Sequence, residues 1–198
     1  MALRTVDGMN EIHAHLTVCA AEAARVTRGI TPRQLAAPSV CTDWTVRELA
    51  NHLVLYTAHG LEHRALRTEL PEETVARDFT ADADWPERYA AQLDRALAAW
   101  AKPEAWEGEV DLGGSGVPAA DIAGLLTAEL ALHGWDLARS TGGAYGVPEE
   151  TGRFLLDVVE GNAEIYRQYG GFAAPAAVPA DADAFTRALA LSGRAARS

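Results

Sequence analysis

Apolar residues recur at intervals of three and four through most of this chain, a period that only helices can bury along one face. The first segment reads Met9, Ile12, Leu16, Cys19, Ala23 and Val26, and Gly29 then ends it. Pro32 and Pro38 bracket a connection in which residues 32–35 can form one turn. The second helix has a marked start. Thr45-Val-Arg-Glu48 fits a capping box, with the Thr45 hydroxyl accepting from the Glu48 amide and the Glu48 carboxylate reaching back. Trp44, just ahead of the cap, is placed to staple against Leu49. The buried face then runs Leu49, His52, Leu53, Tyr56, His59 and His63 and ends before Pro71. A third helix opens near Asp84 with Pro86 in its first turn and buries Tyr89, Leu93, Leu97 and Trp100. Residues 104–117 are rich in glycine, and Val110 and Leu112 are the candidates for a short extended piece. Pro118 starts the fourth helix and Gly142-Gly143 ends it; its stripe is Ile122, Leu125, Leu126, Glu129, His133, Asp136 and Leu137. A fifth runs from about Pro148 to Tyr169 on Phe154, Leu155, Val158, Val159 and Ile165. The tail starts extended, as its prolines require, and closes with a short helix around residues 185–191.

These elements predict an all-α protein. The expected form is an up-down four-helix bundle with one long crossover, a fifth helix, and a C-terminal tail packed on the bundle. The bundle should occupy residues 1–170 and the tail 171–198. Hydrophobic residues make up 48% of the 198, enough for a packed core, and a charged fraction of 23% argues against disorder. The net charge of -11 repels phosphate backbones and anionic lipid, so neither nucleic acid nor a membrane surface is an expected partner. Asp7, Glu11 and Glu22 interrupt residues 1–30, which therefore do not read as a secretory signal, and no apolar run has the length of a membrane span. Cys19 and Cys41 form no CxxC pair. A reduced, cytoplasmic protein is expected. Bundles of this kind often pair, which leaves a homodimer open, although no uninterrupted apolar outer face demands one.

The fourth helix raises the functional question. In TAELALHGWDLAR (127–139) a carboxylate and an imidazole, Glu129 and His133, stand one turn apart on the stripe that should be buried. A buried carboxylate is costly alone. One reading is that Glu129 and His133 simply pair with each other, or with an arginine. The other brings in His52, which intrudes in the same way on the second helix. If the two helices are neighbours, His52, Glu129 and His133 make a three-ligand site for a divalent cation, with coordination positions left open. Two nitrogens and one oxygen suit Zn²⁺ best, and also Ni²⁺, Co²⁺ or Fe²⁺.

Two stretches carry a resemblance. CTDWTVRELANHLV (41–54) and LTAELALHGWDLARSTG (126–142) together resemble the DinB-like superfamily. They are closer still to the metal-binding domain family of mycothiol-dependent maleylpyruvate isomerase and its uncharacterised actinobacterial relatives. The likeness in character extends over most of the chain, including VPADADAF. It implies a DinB-like bundle whose metal ligands are the His after the DW block and the acid and His of the second block, here His52, Glu129 and His133. It also implies mycothiol as a thiol cofactor and a small-molecule substrate. The expected function is a metal-dependent transferase or isomerase that activates a thiol, or water, against a small electrophile. The alternative is a non-catalytic metal-binding or ligand-sensing bundle. The characterised isomerase carries a further C-terminal domain that this chain is not expected to hold, so the resemblance does not specify maleylpyruvate.

The accessory residues have competing readings. Asp136 can accept the free ring N–H of a ligand histidine, or it can anchor Arg139. Trp135 and Trp44 read as packing. His59 and His63 form an HxxxH pair, but His63 is eleven residues from His52, about 16 Å along a helix, so the two expected places for the pair are a pocket mouth and plain surface. His13 lies at the edge of its helix's buried face, where a satisfied helix histidine is expected, and His15 points elsewhere. Cys41 reads as a small buried hydrophobe and Cys19 as inert core. Residues 113–116 (GGSG) lack the Lys-Ser/Thr of a phosphate loop.

Overall fold

The computed structural model describes residues 6–111 and 114–194. The chain divides into two compact units, Met1–Tyr145 and Gly146–Ser198. The boundary expected at residue 170 thus falls inside the second unit.

In the first unit the long helices are α1 (Val6–Arg28), a rod made of α2 (Val46–Val54) and α3 (Gly60–Leu66), α5 (Trp85–Trp100) and α6 (Ala119–Ser140). A short helix, α4, covers Glu72–Val75. Helix α1 packs on α5 and α6, while the rod meets α6 through α2 and α5 through α3. This is the predicted four-helix bundle, with α1 and the rod across it from each other. The expected turn near residues 32–35 appears as a 3₁₀ turn at Gln34–Ala36.

The capping box forms as read. Glu48 N donates to Thr45 Oγ1 at 3.3 Å, and Thr45 N donates to the Glu48 carboxylate at 2.7 Å. Such a cap is worth about 1 kcal/mol and sets the phase of everything that follows on the helix. One break in that phase was not predicted. Leu55–His59 forms a π turn, whose amide bond from Gly60 reaches the carbonyl of Leu55. The Thr57 hydroxyl donates to the Leu53 carbonyl at 2.6 Å, a side-chain intrusion of the kind that perturbs the helical ladder. Within the turn Leu55, Thr57 and Ala58 are buried, and Tyr56, expected on the buried face, is 46% exposed.

Helix α6 also departs from the expected single stripe. Ala128, Leu130, Ala131, Leu132, Trp135 and Leu137 are all buried, on several faces at once, while Leu125 and Leu126 are only half-buried. The reason is tertiary: α1, α2 and the π turn, and a β-hairpin all lie against it. That hairpin joins β1 (Glu109–Asp111) to β2 (Gly116–Pro118), pairing Val110 with Val117, and buries Val110. Val110 is therefore extended as expected, whereas Leu112 lies outside the described residues. Gly116 is a strand residue whose missing Cβ makes room for the Glu109 carboxylate.

In the second unit α7 (Glu149–Gln168) packs on α8 (Ala184–Leu191), the short helix expected in the tail. Gly152 allows the approach, since a Cβ there would stand 3.0 Å from the backbone nitrogen of Phe185. Ile165 was expected in the buried stripe but is 52% exposed, near the helix end.

Gly134 marks the tightest packing on α6. A Cβ there would lie 2.6 Å from the ring of Tyr145, which is buried with its hydroxyl donating to the Cys19 carbonyl at 3.3 Å. Alanine would gain about 1 kcal/mol in helix propensity but would drive the ring from its seat at a cost of about 1–3 kcal/mol. We predict that Gly134→Ala is net destabilising by about 1 kcal/mol, read from the urea midpoint at unchanged slope; a stabilised variant would refute the packing argument.

Candidate metal centre

Helix α2 carries His52 two turns beyond its cap, facing α6, and α6 carries Glu129 and His133 one turn apart. The three side chains meet. His52 Nε2 lies 3.0 Å and His133 Nε2 3.3 Å from the same carboxylate oxygen, Glu129 Oε1. One donor atom from each residue can be chosen so that all lie within 4.8 Å of one another. The side chains keep 21%, 25% and 15% of their surface for His52, Glu129 and His133, so the cluster is reachable from solvent.

The electrostatics follow from that arrangement. Burial alone would raise the Glu129 pKa, but hydrogen bonds and charge from His133 and His52 outweigh it and hold the carboxyl well below its usual range. Burial would lower the pKa of His133. Asp136, Cys41 and Glu129 together overcome this and push it up to about 11. A carboxylate with imidazoles on both sides is an anion in search of positive charge, which a proton or a cation can supply.

Asp136 stands beside His133. Its Oδ2 stands 3.0 Å from His133 Nδ1, on the side of the ring away from Glu129, although not aligned as a full hydrogen bond. Arg139 instead lies over the ring of Trp135, with its guanidinium carbon 5.8 Å from the centroid.

Two residues read as packing belong to this site. Trp44 was expected to staple Leu49, yet its ring centroid is 4.8 Å from that of His52 and 6.2 Å from that of His133. Cys41 was expected to be a buried hydrophobe, yet it is half-buried and donates to Asp136 Oδ2 at 3.4 Å. Cys41, His133 and Asp136 form a second group of donors able to approach a common ion. The turn between Cys41 and Trp44 places both. Trp44 N donates to the Cys41 carbonyl at 3.1 Å, and Asp43 takes φ 71, a left-handed conformation that Asp tolerates better than most residues. The loop is tied to the end of α6, with Val40 N donating to Ser140 Oγ at 3.0 Å. The CTDW stretch ahead of a capping box was the visible signal for these roles. Tyr56 also lies against His52, its ring tilted by 50° with 4.8 Å between centroids.

The other histidines stand apart from the cluster. His13 Nε2 bonds the Leu97 carbonyl at 3.0 Å, the satisfied role expected for it. His63 Nδ1 pairs with Thr68 Oγ1 at 2.8 Å, and His59 stacks on Phe79 at 5.0 Å. His15 is buried in α1.

Two predictions follow from this chemistry. In metal-free protein the Glu129 contribution to stability is present above its unfolded value near 4.5 and is lost as pH falls. The His133 contribution is complete below its unfolded value near 6.5 and is lost as pH rises towards 11. The melting temperature of chelator-treated protein should therefore peak between those values, and His133→Ala should flatten the decline between about pH 7 and 9. The second concerns thiols. Burial pushes the Cys19 thiol up to about 12, so iodoacetamide should label native protein at Cys41 alone, and Cys41→Ser should abolish labelling.

Among solved structures, the crystal structure of the mycothiol-dependent maleylpyruvate isomerase matches with a TM-score of 0.59 at 19% identity, covering 76% of this chain and 69% of that one. This likeness shows the fold, a DinB-like helical bundle. No curated protein matches the sequence. The sequence model of the mycothiol maleylpyruvate isomerase N-terminal domain matches residues 16–138, the span that includes Cys41, Trp44, His52, Glu129, His133 and Asp136. The chain belongs to the family of the mycothiol maleylpyruvate isomerase N-terminal domain.

Proposed function

We propose that this protein is a divalent-metal-dependent enzyme that activates a low-molecular-weight thiol, mycothiol or a close analogue, for attack on a small electrophile. The observation that carries the reading is the convergence of His52, Glu129 and His133 from two helices on one solvent-reachable point. A closed structural zinc site uses four protein ligands, whereas three with open access leave a place for an exogenous group. Zn²⁺ fits the two nitrogens and one carboxylate oxygen, and Ni²⁺, Co²⁺ and Fe²⁺ are the rivals.

When bound, such an ion lowers the pKa of a thiol or water so that the nucleophile exists at neutral pH. The protein's own residues supply the rest. Asp136, at 3.0 Å from Nδ1, orients the His133 ring so that Nε2 faces Glu129. Cys41 bonds the same Asp136 oxygen and so fixes that carboxylate in turn. Trp44 and Tyr56 flank His52 and give the site aromatic walls, which suit an unsaturated electrophile.

Elemental analysis tests the reading directly. Purified wild-type protein should carry about one transition-metal ion per chain, and His52→Ala or Glu129→Gln should carry close to none. Wild type should consume an unsaturated electrophile such as maleylpyruvate only when the thiol is supplied, and His52→Ala should not. Equal metal content in wild type and both variants would refute the metal centre. Metal without thiol-dependent turnover would favour a non-catalytic metal-binding or sensing role.

A further inference from the structure

Beyond the metal centre, the α2–α3 rod borders a cavity of about 220 Å³. Phe79, Trp85 and Tyr89 form a buried aromatic floor, and Arg77, Arg88 and Arg95 stand around it. No lining residue is acidic, in a chain with 28 acidic against 17 basic residues. His59, stacked on Phe79, completes the wall on the rod, two turns beyond His52.

The guanidiniums differ in how far they are already neutralised. Arg88 is held by Asp82 at 2.8 Å and Asp84 at 2.9 Å, both outside the lining. Arg77 reaches Asp82 only at 3.9 Å and lies over the Phe79 ring at 5.7 Å. Arg95 meets the neutral side-chain amide of Gln92, which in turn donates to Glu62. Arg77 and Arg95 therefore keep the most charge to offer a ligand. The aromatic floor is fixed from outside the cavity. Phe79 N donates to Asn51 Oδ1 at 2.6 Å, and Tyr89 meets the Thr57 hydroxyl of the π turn at 3.1 Å. π turns are frequent at functional sites.

We propose that this cavity binds a small organic carboxylate with a flat apolar body, at a site separate from the metal centre. A guanidinium fork matches a carboxylate in its plane and can hold both oxygens. The ring floor receives the flat remainder of the molecule by stacking and burial. The volume equals roughly seven waters, at about 30 Å³ each, which suits a single-ring acid and is too small for a nucleotide. An inorganic phosphate would use the arginines and leave the aromatic floor wet.

Titration calorimetry with benzoate tests this on chelator-treated full-length protein, so that a cation at the metal centre cannot hold the acid. Saturable one-site binding is expected. The double variant Arg77→Gln/Arg95→Gln should weaken it at least about tenfold, since it removes the charge-assisted bonds. Ala91→Phe, at an exposed helix position lining the hollow, should weaken it similarly without removing a charge. His52→Ala should bind as wild type does, and inorganic phosphate should bind at least about tenfold more weakly than benzoate. Absence of saturation, loss of binding in His52→Ala, phosphate as tight as benzoate, or unchanged affinity in Ala91→Phe would each overturn the proposal. Should the double variant not fold, Ala91→Phe alone decides. Failure here leaves the metal-content result standing, and the reverse holds too.

Discussion

One carboxylate oxygen organises this molecule's chemistry. Glu129 Oε1 is within 3.0 Å of one imidazole and 3.3 Å of another, and the two rings come from different helices. Left alone in a bundle interior, the carboxylate would cost several kcal/mol or take up a proton. Its neighbours prevent both outcomes, and in doing so they fasten α2 to α6. The neighbour relation of these helices is thus a packing fact and an electrostatic one. Apolar burial along α2 and α6 brings the backbones together, and the polar triad fixes which residues of the two faces meet.

That register is prepared locally before any tertiary contact is made. The Thr45–Glu48 box fixes the first turn of α2, and the left-handed Asp43 bends the chain so that Cys41 and Trp44 arrive on the α6 side. His52 then falls two turns on, where helical geometry makes its direction a consequence of the cap. On the other partner, Gly134 sits directly after His133 and gives up its side chain to the Tyr145 ring. His133 is therefore flanked by a position whose side-chain space the Tyr145 ring already fills, which confines the movement available to it.

What could be read from the sequence was local. The capping box, the prolines at the starts of α5, α6 and α7 and the end of α6 depend on residues close in the chain, and all were legible. The pairing of His52 with Glu129 and His133 was open on spacing alone, and the family resemblance pointed to it. The misreadings share a cause. Tyr56 went outward because the Thr57 hydroxyl disturbs the helix, and a threonine in a helix gives no sign of that in its spacing. Trp44 and Cys41 looked like packing because their partners, His52, His133 and Asp136, lie on helices whose approach only the fold decides. The arginine-ringed cavity drew on the rod, on residues 77 and 79, and on α5, so no single stretch announced it; a pocket mouth was one of the two places expected for His59.

His133 has a carboxylate oxygen beside each ring nitrogen, and this bears on what an ion would do there. Asp136, Cys41 and Glu129 push the His133 pKa up, so a proton there offsets part of the negative charge of Glu129 and Asp136. The bundle also rests on a core that owes nothing to the site, with Trp100, Tyr89, Leu16 and Leu93 almost wholly buried in its helices. Small zinc domains differ, because there the ligands supply the folding free energy and the apo chain is unfolded. Here an ion would compete with a proton for the same ring nitrogen, on helices whose core packs apart from the site. A staple gains from closure, whereas His52, Glu129 and His133 each keep part of their surface open to solvent.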